Sequence, residues 1–177
     1  GVQAGLESVA ALAERAEKGA NTVFAQQKNL TMVGQALRAI NRQSSELLDI
    51  AETISALKLQ QNATPSELFA VGQLVMLTQR LGKSANEFLT TEGVSPEAVF
   101  LLSKDLNLFR ELAQGVADGS AEFRLPGTKD AETKERLVAL LKLYEETRTQ
   151  AAAIMANLPG LVAARDAQAS IMLDSEP

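Results

Sequence analysis

The side chains best equipped to recognise another molecule are concentrated between positions 69 and 83: Phe69, Gly72, Gln73, Met76, Gln79, Arg80 and Lys83. Arg80 offers a planar fork of donors and Lys83 a compact ammonium, both suited to a small anion, while the two amides add neutral donors and acceptors. Phe69 and Met76 supply apolar contact, and Gly72 lets another helix approach closely. On a helical wheel centred on Thr78, the residues Phe69, Gly72, Gln73, Met76, Arg80, Lys83 and Glu87 fall on the face opposite the apolar stripe. Two copies of this face meeting at a two-fold axis would bring paired Arg80 cations together and favour an anion between them. The same residues also read as a solvated flank, with two scattered exposed hydrophobes and a Lys83–Glu87 i,i+4 pair of small value.

Other chemistry has little to work with. The 177 residues contain no His and no Cys. That disfavours His-based acid–base catalysis, thiol nucleophiles, thiolate zinc sites and the Glu-x-x-His pairs of di-iron bundles. No Gly-rich phosphate loop is present, and the acids, including Glu145-Glu146 and Asp130, Glu132 and Glu135, read as first-turn or surface groups on polar faces. No enzyme activity, cofactor or metal is expected. The net charge is −5, with basic residues scattered among acidic ones, so no basic strip is available for nucleic acid. No apolar run reaches the length needed to span a bilayer. A start at Gly1 and an end at Pro177, beyond an amphipathic stretch, read as a segment of a longer protein.

The elements that must carry these residues are helices. The interior has to be built from Leu, Ala, Val and Ile, because aromatics make up 4% and Trp is absent. Thr64-Pro65 and Ser95-Pro96 each combine a capping hydroxyl with a proline at the first helical position, and Thr64-Pro65-Ser66-Glu67 reads as a capping box. Gly93 and Gly119 are expected at helix ends in the left-handed conformation, and 121–129, with Pro126-Gly127, as a loop. Between these signals the apolar steps alternate three and four: Val33, Leu37, Ile40, Ser44, Leu47, Ala51 and Ile54; then Leu68, Val71, Leu74, Val75, Thr78, Leu81, Ala85 and Phe88. The third stripe is Val99, Leu102, Leu106, Phe109, Leu112 and Val116. The fourth is Leu137, Leu140, Leu141, Tyr144, Ala151, Ile154 and Leu158.

Four such helices with short connections predict an all-α, antiparallel up-down-up-down four-helix bundle crossing at about 20°. The first helix, from about residue 3 to 59, is far longer than the roughly 24 residues of each of the others and must overshoot the bundle. Leu158-Pro159-Gly160 is expected to interrupt the fourth helix, and Gly5, Gly19, Gly34 or Asn21-Thr22 mark places where the first could bend or restart. Residues 1–21 then form a helical extension that can be read as the end of a preceding similar module; 22–158 form the bundle; 159–177 form an extension toward a membrane. Both ends project from one pole.

The run Val71-Gly72-Gln73-Leu74-Val75-Met76-Leu77-Thr78-Gln79-Arg80-Leu81-Gly82-Lys83 resembles the signature of the PilJ-type sensor module, roughly A-G-R-Q-R-M-L-S-Q-R-x-A-K. Gly72, Met76, Leu77, Gln79, Arg80 and Lys83 agree, and Val71, Thr78 and Gly82 are conservative. Ala85-Asn86-Glu87-Phe88-Leu89 and Leu108-Phe109-Arg110-Glu111 also fit, and the resemblance spans about 22–158. It implies the periplasmic sensing part of a type IV pilus methyl-accepting chemotaxis transducer in the inner membrane, homodimeric and linked to the membrane through flanking regions. Its partners would be a type IV pilin or other pilus protein, a small anion or an amino acid. Gln73 and Val75 replace the two arginines of the pattern, and Val75 takes the place of the arginine that meets nitrate in related kinases, so nitrate sensing is not carried over. The alternative is a structural or adaptor bundle that docks a protein without any small ligand. A pocket lined by Arg80 or Gln79 would favour the sensor, and a flat apolar strip the adaptor.

Overall fold

The computed structural model describes residues 2–90 and 95–174, with side chains described from 8 to 157 except at 22, 26 and 90–94. Four helices account for nearly all of it: α1 (Val2–Gln60), α2 (Pro65–Thr90), α3 (Pro96–Asp118) and α4 (Ala131–Asp174). Each packs on its neighbours in the chain, and α4 returns to α1, closing a ring of four; among the described residues no Cα atoms of the diagonal pairs α1/α3 and α2/α4 approach within 8 Å.

Cross-helix pairs run in opposing senses. Lys58 near the end of α1 meets Glu67 at the start of α2, whereas Ser44 lies beside Gly82 further along. Arg80 reaches Asp105 across the α2/α3 seam. Phe109 stacks on Tyr144 with ring centroids 5.6 Å apart, and Ser103 Oγ donates to Met155 Sδ at 3.2 Å. Gln61, just past α1, bonds Asp130 and Thr133 at the start of α4. An antiparallel up-down arrangement is compatible with all of these pairs.

The helix starts follow from local chemistry. Ser95 caps α3 with φ −81° and ψ 144°, its hydroxyl accepting from the Ala98 N–H at 3.1 Å, and Pro96 follows where a missing N–H costs nothing. Thr64 Oγ1 accepts from the Glu67 N–H at 3.2 Å. The capping box is only half used, because the Glu67 carboxylate turns instead to Lys58. Gly119 ends α3 with φ 98° and ψ 152°, positive in φ as expected but outside the left-handed helical well, in a region that essentially only glycine enters. Gly93 lies outside the described residues. The 119–130 connection is folded back on itself. Ser120 and Leu125 exchange two backbone hydrogen bonds, Leu125 is buried, and Thr128 is tied to the Val116 and Ala117 carbonyls at the end of α3.

Every described residue of the first, third and fourth apolar stripes is buried except Leu141, which packs partly buried against the core. In α2, Val71, Leu74, Thr78, Leu81 and Ala85 are buried, and Leu68, Val75 and Phe88 are half-buried. The expected interruption at Leu158-Pro159-Gly160 is absent, and the places where α1 could have restarted hold no break. α1 runs unbroken past Gly19 and Asn21, and α4 continues through Pro159 to Asp174 instead of stopping at Leu158. One missing donor at a proline removes a single ladder bond, which a long helix can absorb as a local distortion. α4 therefore has 44 residues, not about 24, while α2 and α3 have 26 and 23.

The core begins at Val33 on α1 and reaches Ile154 on α4. No described residue of α1 before Val33 is buried, and Val9, Leu12, Val23, Phe24 and Leu30 stand exposed there. Among the described residues no helix is long and apolar enough to cross a membrane.

Candidate functional site

The middle of α2 carries the residues singled out above, and the bundle divides them. Phe69 is 69% exposed, near the start of the helix. Gln79, Arg80 and Lys83 are exposed, and Gly72 opens onto solvent, where a Cβ would meet no atom within 4 Å. Among the described residues nothing requires a glycine at 72, although glycine weakens a helix interior by roughly 1 kcal/mol relative to alanine. Gln73 and Met76 depart from expectation. Both are half-buried, and Met76 packs against the core. At 100° per residue Gln73 and Met76 lie only about 40° and about 20° from the wheel's outer centre, so the neighbouring parts of the bundle cover more of α2 than a single-helix wheel assigns to the core.

Arg80 is exposed, as expected, and also has a partner that a single-helix wheel does not show. Its Nη2 lies 3.1 Å from Asp105 Oδ1 on α3, and its side chain is half exposed while the carboxylate is almost covered. The guanidinium therefore closes the α2/α3 seam with one edge and leaves the other to solvent. Burial pushes the Asp105 carboxyl up from its ordinary value, and Arg80 and then Lys104 pull it back. Acids were expected on solvated faces, and Asp105 is not on one. Its position between Leu102 and Leu106, next to a continuous apolar stripe, was the available signal. Lys83 and Glu87 approach to 3.9 Å along the exposed flank, the small i,i+4 pair anticipated.

Beside this seam lies an apolar groove of about 620 Å³ between α2 and α3, bounded by Phe69, Ala70, Gln73, Leu108, Leu112 and Phe123 among others. A second, of about 530 Å³, lies at the other end of α3 and includes Phe100, Ser103, Lys104 and Met155. Gln79 and Arg80 line neither groove.

A polar cluster that sequence reasoning missed sits where α1 ends and α2 and α4 begin. Lys58 Nζ lies 3.2 Å from Glu67 Oε2, with side chains 4% and 9% exposed. Both continue their helices' apolar periods, Lys58 four residues after Ile54 and Glu67 four before Val71; extending each stripe by one step would have placed them inside. Asp130 caps α4, its Oδ2 accepting from the Thr133 N–H at 2.9 Å, Thr133 Oγ1 at 2.7 Å and Gln61 Nε2 at 3.1 Å. Those bonds, led by the Thr133 hydroxyl, hold the Asp130 carboxyl below its ordinary value.

A helical bundle whose first helix runs well beyond its core is the class that fold and residues define together. The chain is similar to Protein PilJ of Pseudomonas aeruginosa, 26% identical over 137 residues. The match covers 72% of this chain and 20% of that protein, so the chain spans only about a fifth of the relative's length. No family model matches the sequence.

Proposed function

We propose that the chain is the sensing domain of a transducer related to type IV pilus chemotaxis, placed in the periplasm and joined to an inner membrane by segments continuing from α1 and α4. The supporting observation is that the α2 signature and the PilJ similarity coincide with a bundle whose first helix runs far beyond its core. In this reading the bundle is antiparallel and occupies residues 22–158, and 1–21 and 159–177 are helical extensions. A homodimer forms through the α2 face, with Phe69 as apolar anchor and Gly72 allowing close approach. A small anion, an amino acid or a pilus protein then shifts α1 against α4 by an ångström or two, or rotates the dimer. The coupling equals the difference in the stimulus's affinity for the two arrangements.

The test is a chimera in which this chain replaces the matching 137-residue part of the Pseudomonas aeruginosa protein. Restored twitching motility, lost again with Phe69→Glu, is the expected result. A chimera present in the membrane at normal level yet without motility removes the reading. The alternative, an adaptor that docks a protein and binds no small ligand, draws support from the apolar α2/α3 groove beside Phe69 and from the absence of Arg80 and Gln79 from both grooves.

A further inference from the structure

The pole where α1 ends and α2 and α4 start holds a pocket of about 370 Å³ whose walls include Lys58, Gln61, Thr64, Glu67, Lys129 and Asp130. Three of its features are those of a binding site rather than of a turn. First, Lys58 is a buried cation with spare capacity. An ammonium has three donors, and Glu67 Oε2 is the acceptor the structure places in reach. A buried ion pair gives little net stability over apolar side chains of similar size, so packing alone is a weak reason for one on a pocket wall.

Second, the carboxylate on the other side is exposed and keeps one oxygen open to an incoming group. All three donors to Asp130 act on Oδ2, and among the described residues none reaches Oδ1. Third, the start of α2 borders the cavity through Thr64, adding positive backbone potential that favours a carboxylate near Lys58, while at the start of α4 the Asp130 carboxylate offsets the same potential. The wall carries two cations, Lys58 and Lys129, and two carboxylates, Glu67 and Asp130. A free anion would face repulsion as large as its attraction. A molecule bearing both signs a few ångströms apart would not.

We infer that this pocket binds a small free α-amino acid, its carboxylate on the spare donors of Lys58 and its ammonium on Asp130 Oδ1. The volume accommodates a short side chain against Ala63 and Pro126. Gln61 spans from the end of α1 to Asp130 and Thr133, so occupancy would bear on the contact that holds α1 to α4. That consequence rests on the receptor reading above, whereas binding itself does not.

Isothermal calorimetry with glycine, L-alanine and L-serine as probes tests it, with acetate and methylammonium as single-charge controls. The amino acids should saturate the site and bind at least about tenfold more tightly than either control, a difference of roughly 1.4 kcal/mol. Asp130→Asn, which retains a capping side chain on an exposed residue, should weaken binding about tenfold. Lys58→Met combined with Glu67→Leu, which removes both buried charges together, should abolish it with the helical circular dichroism retained. No saturable heat from any of the three amino acids up to about 10 mM, equal binding of acetate, or native affinity in Asp130→Asn would each overturn the assignment. Amino-acid binding by a chain whose chimera fails to signal keeps the pocket and removes the receptor reading. A signalling chimera without amino-acid binding removes only the pocket.

Discussion

Substituting Gly82 by alanine should change sign with the residue it faces. A Cβ on Gly82 would lie 2.7 Å from Ser44 Oγ and 3.5 Å from Ser44 Cβ, so the hydroxyl, and not the carbon, obstructs it. Ser44 is buried, and its hydroxyl donates to the Asn41 carbonyl at 2.6 Å. Making room means rotating that hydroxyl away, which strands a buried polar group at a cost of roughly 1–3 kcal/mol. The alanine returns about 1 kcal/mol through its better helix propensity. Gly82→Ala alone should therefore destabilise by about 1 kcal/mol. In a Ser44→Ala background the hydroxyl is gone, the remaining 3.5 Å contact is ordinary, and the same substitution should stabilise by about 1 kcal/mol. The coupling between the two sites would be near 2 kcal/mol, large for neighbouring residues. Urea unfolding followed at 222 nm, with all four chains at one protein concentration, measures it through the midpoints at constant slope. Gly82→Ala having the same sign in both backgrounds would refute the claim that the Ser44 hydroxyl is what opposes a side chain at position 82.

Lys58→Met alone leaves the Glu67 carboxylate buried without its partner and should lower stability by about 3–5 kcal/mol, whereas pairing it with Glu67→Leu should restore most of the loss in the same urea assay. The pH response of stability should contain two opposing parts. The folded pKa of Asp105 is raised, so its contribution is full below the ordinary carboxylate value of 3.8 and is lost as pH rises through the folded value; Asp105→Asn should remove that part. The folded pKa of Asp130 is lowered, so its contribution is present above 3.8 and is lost as pH falls through the folded value; Asp130→Asn should flatten the acid limb, with urea midpoints between pH 2 and 7 as the readout. If Phe69 anchors self-association, Phe69→Glu should lower the mass seen by light scattering at high concentration without moving the urea midpoint, since the side chain is 69% exposed. Equal masses for both chains would count against that face.

Much of the fold could be read from spacing alone. A helix repeats its buried face every three or four residues whatever surrounds it, so Val33 through Ile54, Val99 through Val116 and Leu137 through Ile154 declared their inward sides in advance. Caps were legible for the same reason, because Ser95 and Thr64 act on N–H groups three residues away. Helix continuity was less so. Pro159 marks a lost hydrogen bond in the sequence, but whether the helix ends there depends on its surroundings, and α4 runs on to Asp174.

The α2 face shows the boundary most clearly. Its composition announced cations and apolar groups away from the core, and Phe69, Arg80 and Lys83 do reach solvent. The wheel knows one helix, however, and a bundle has seams. Which flank of α2 meets α3 is settled by packing, and that decides that Arg80 is joined to Asp105 and that an apolar groove opens beside Phe69. The Lys58, Glu67 and Asp130 cluster belongs to the same category. Charge pairing across elements depends on distances between residues far apart in the chain. Local periodicity and capping carry the helices, while only the meeting of three helix ends puts an ammonium and two carboxylates around one pocket.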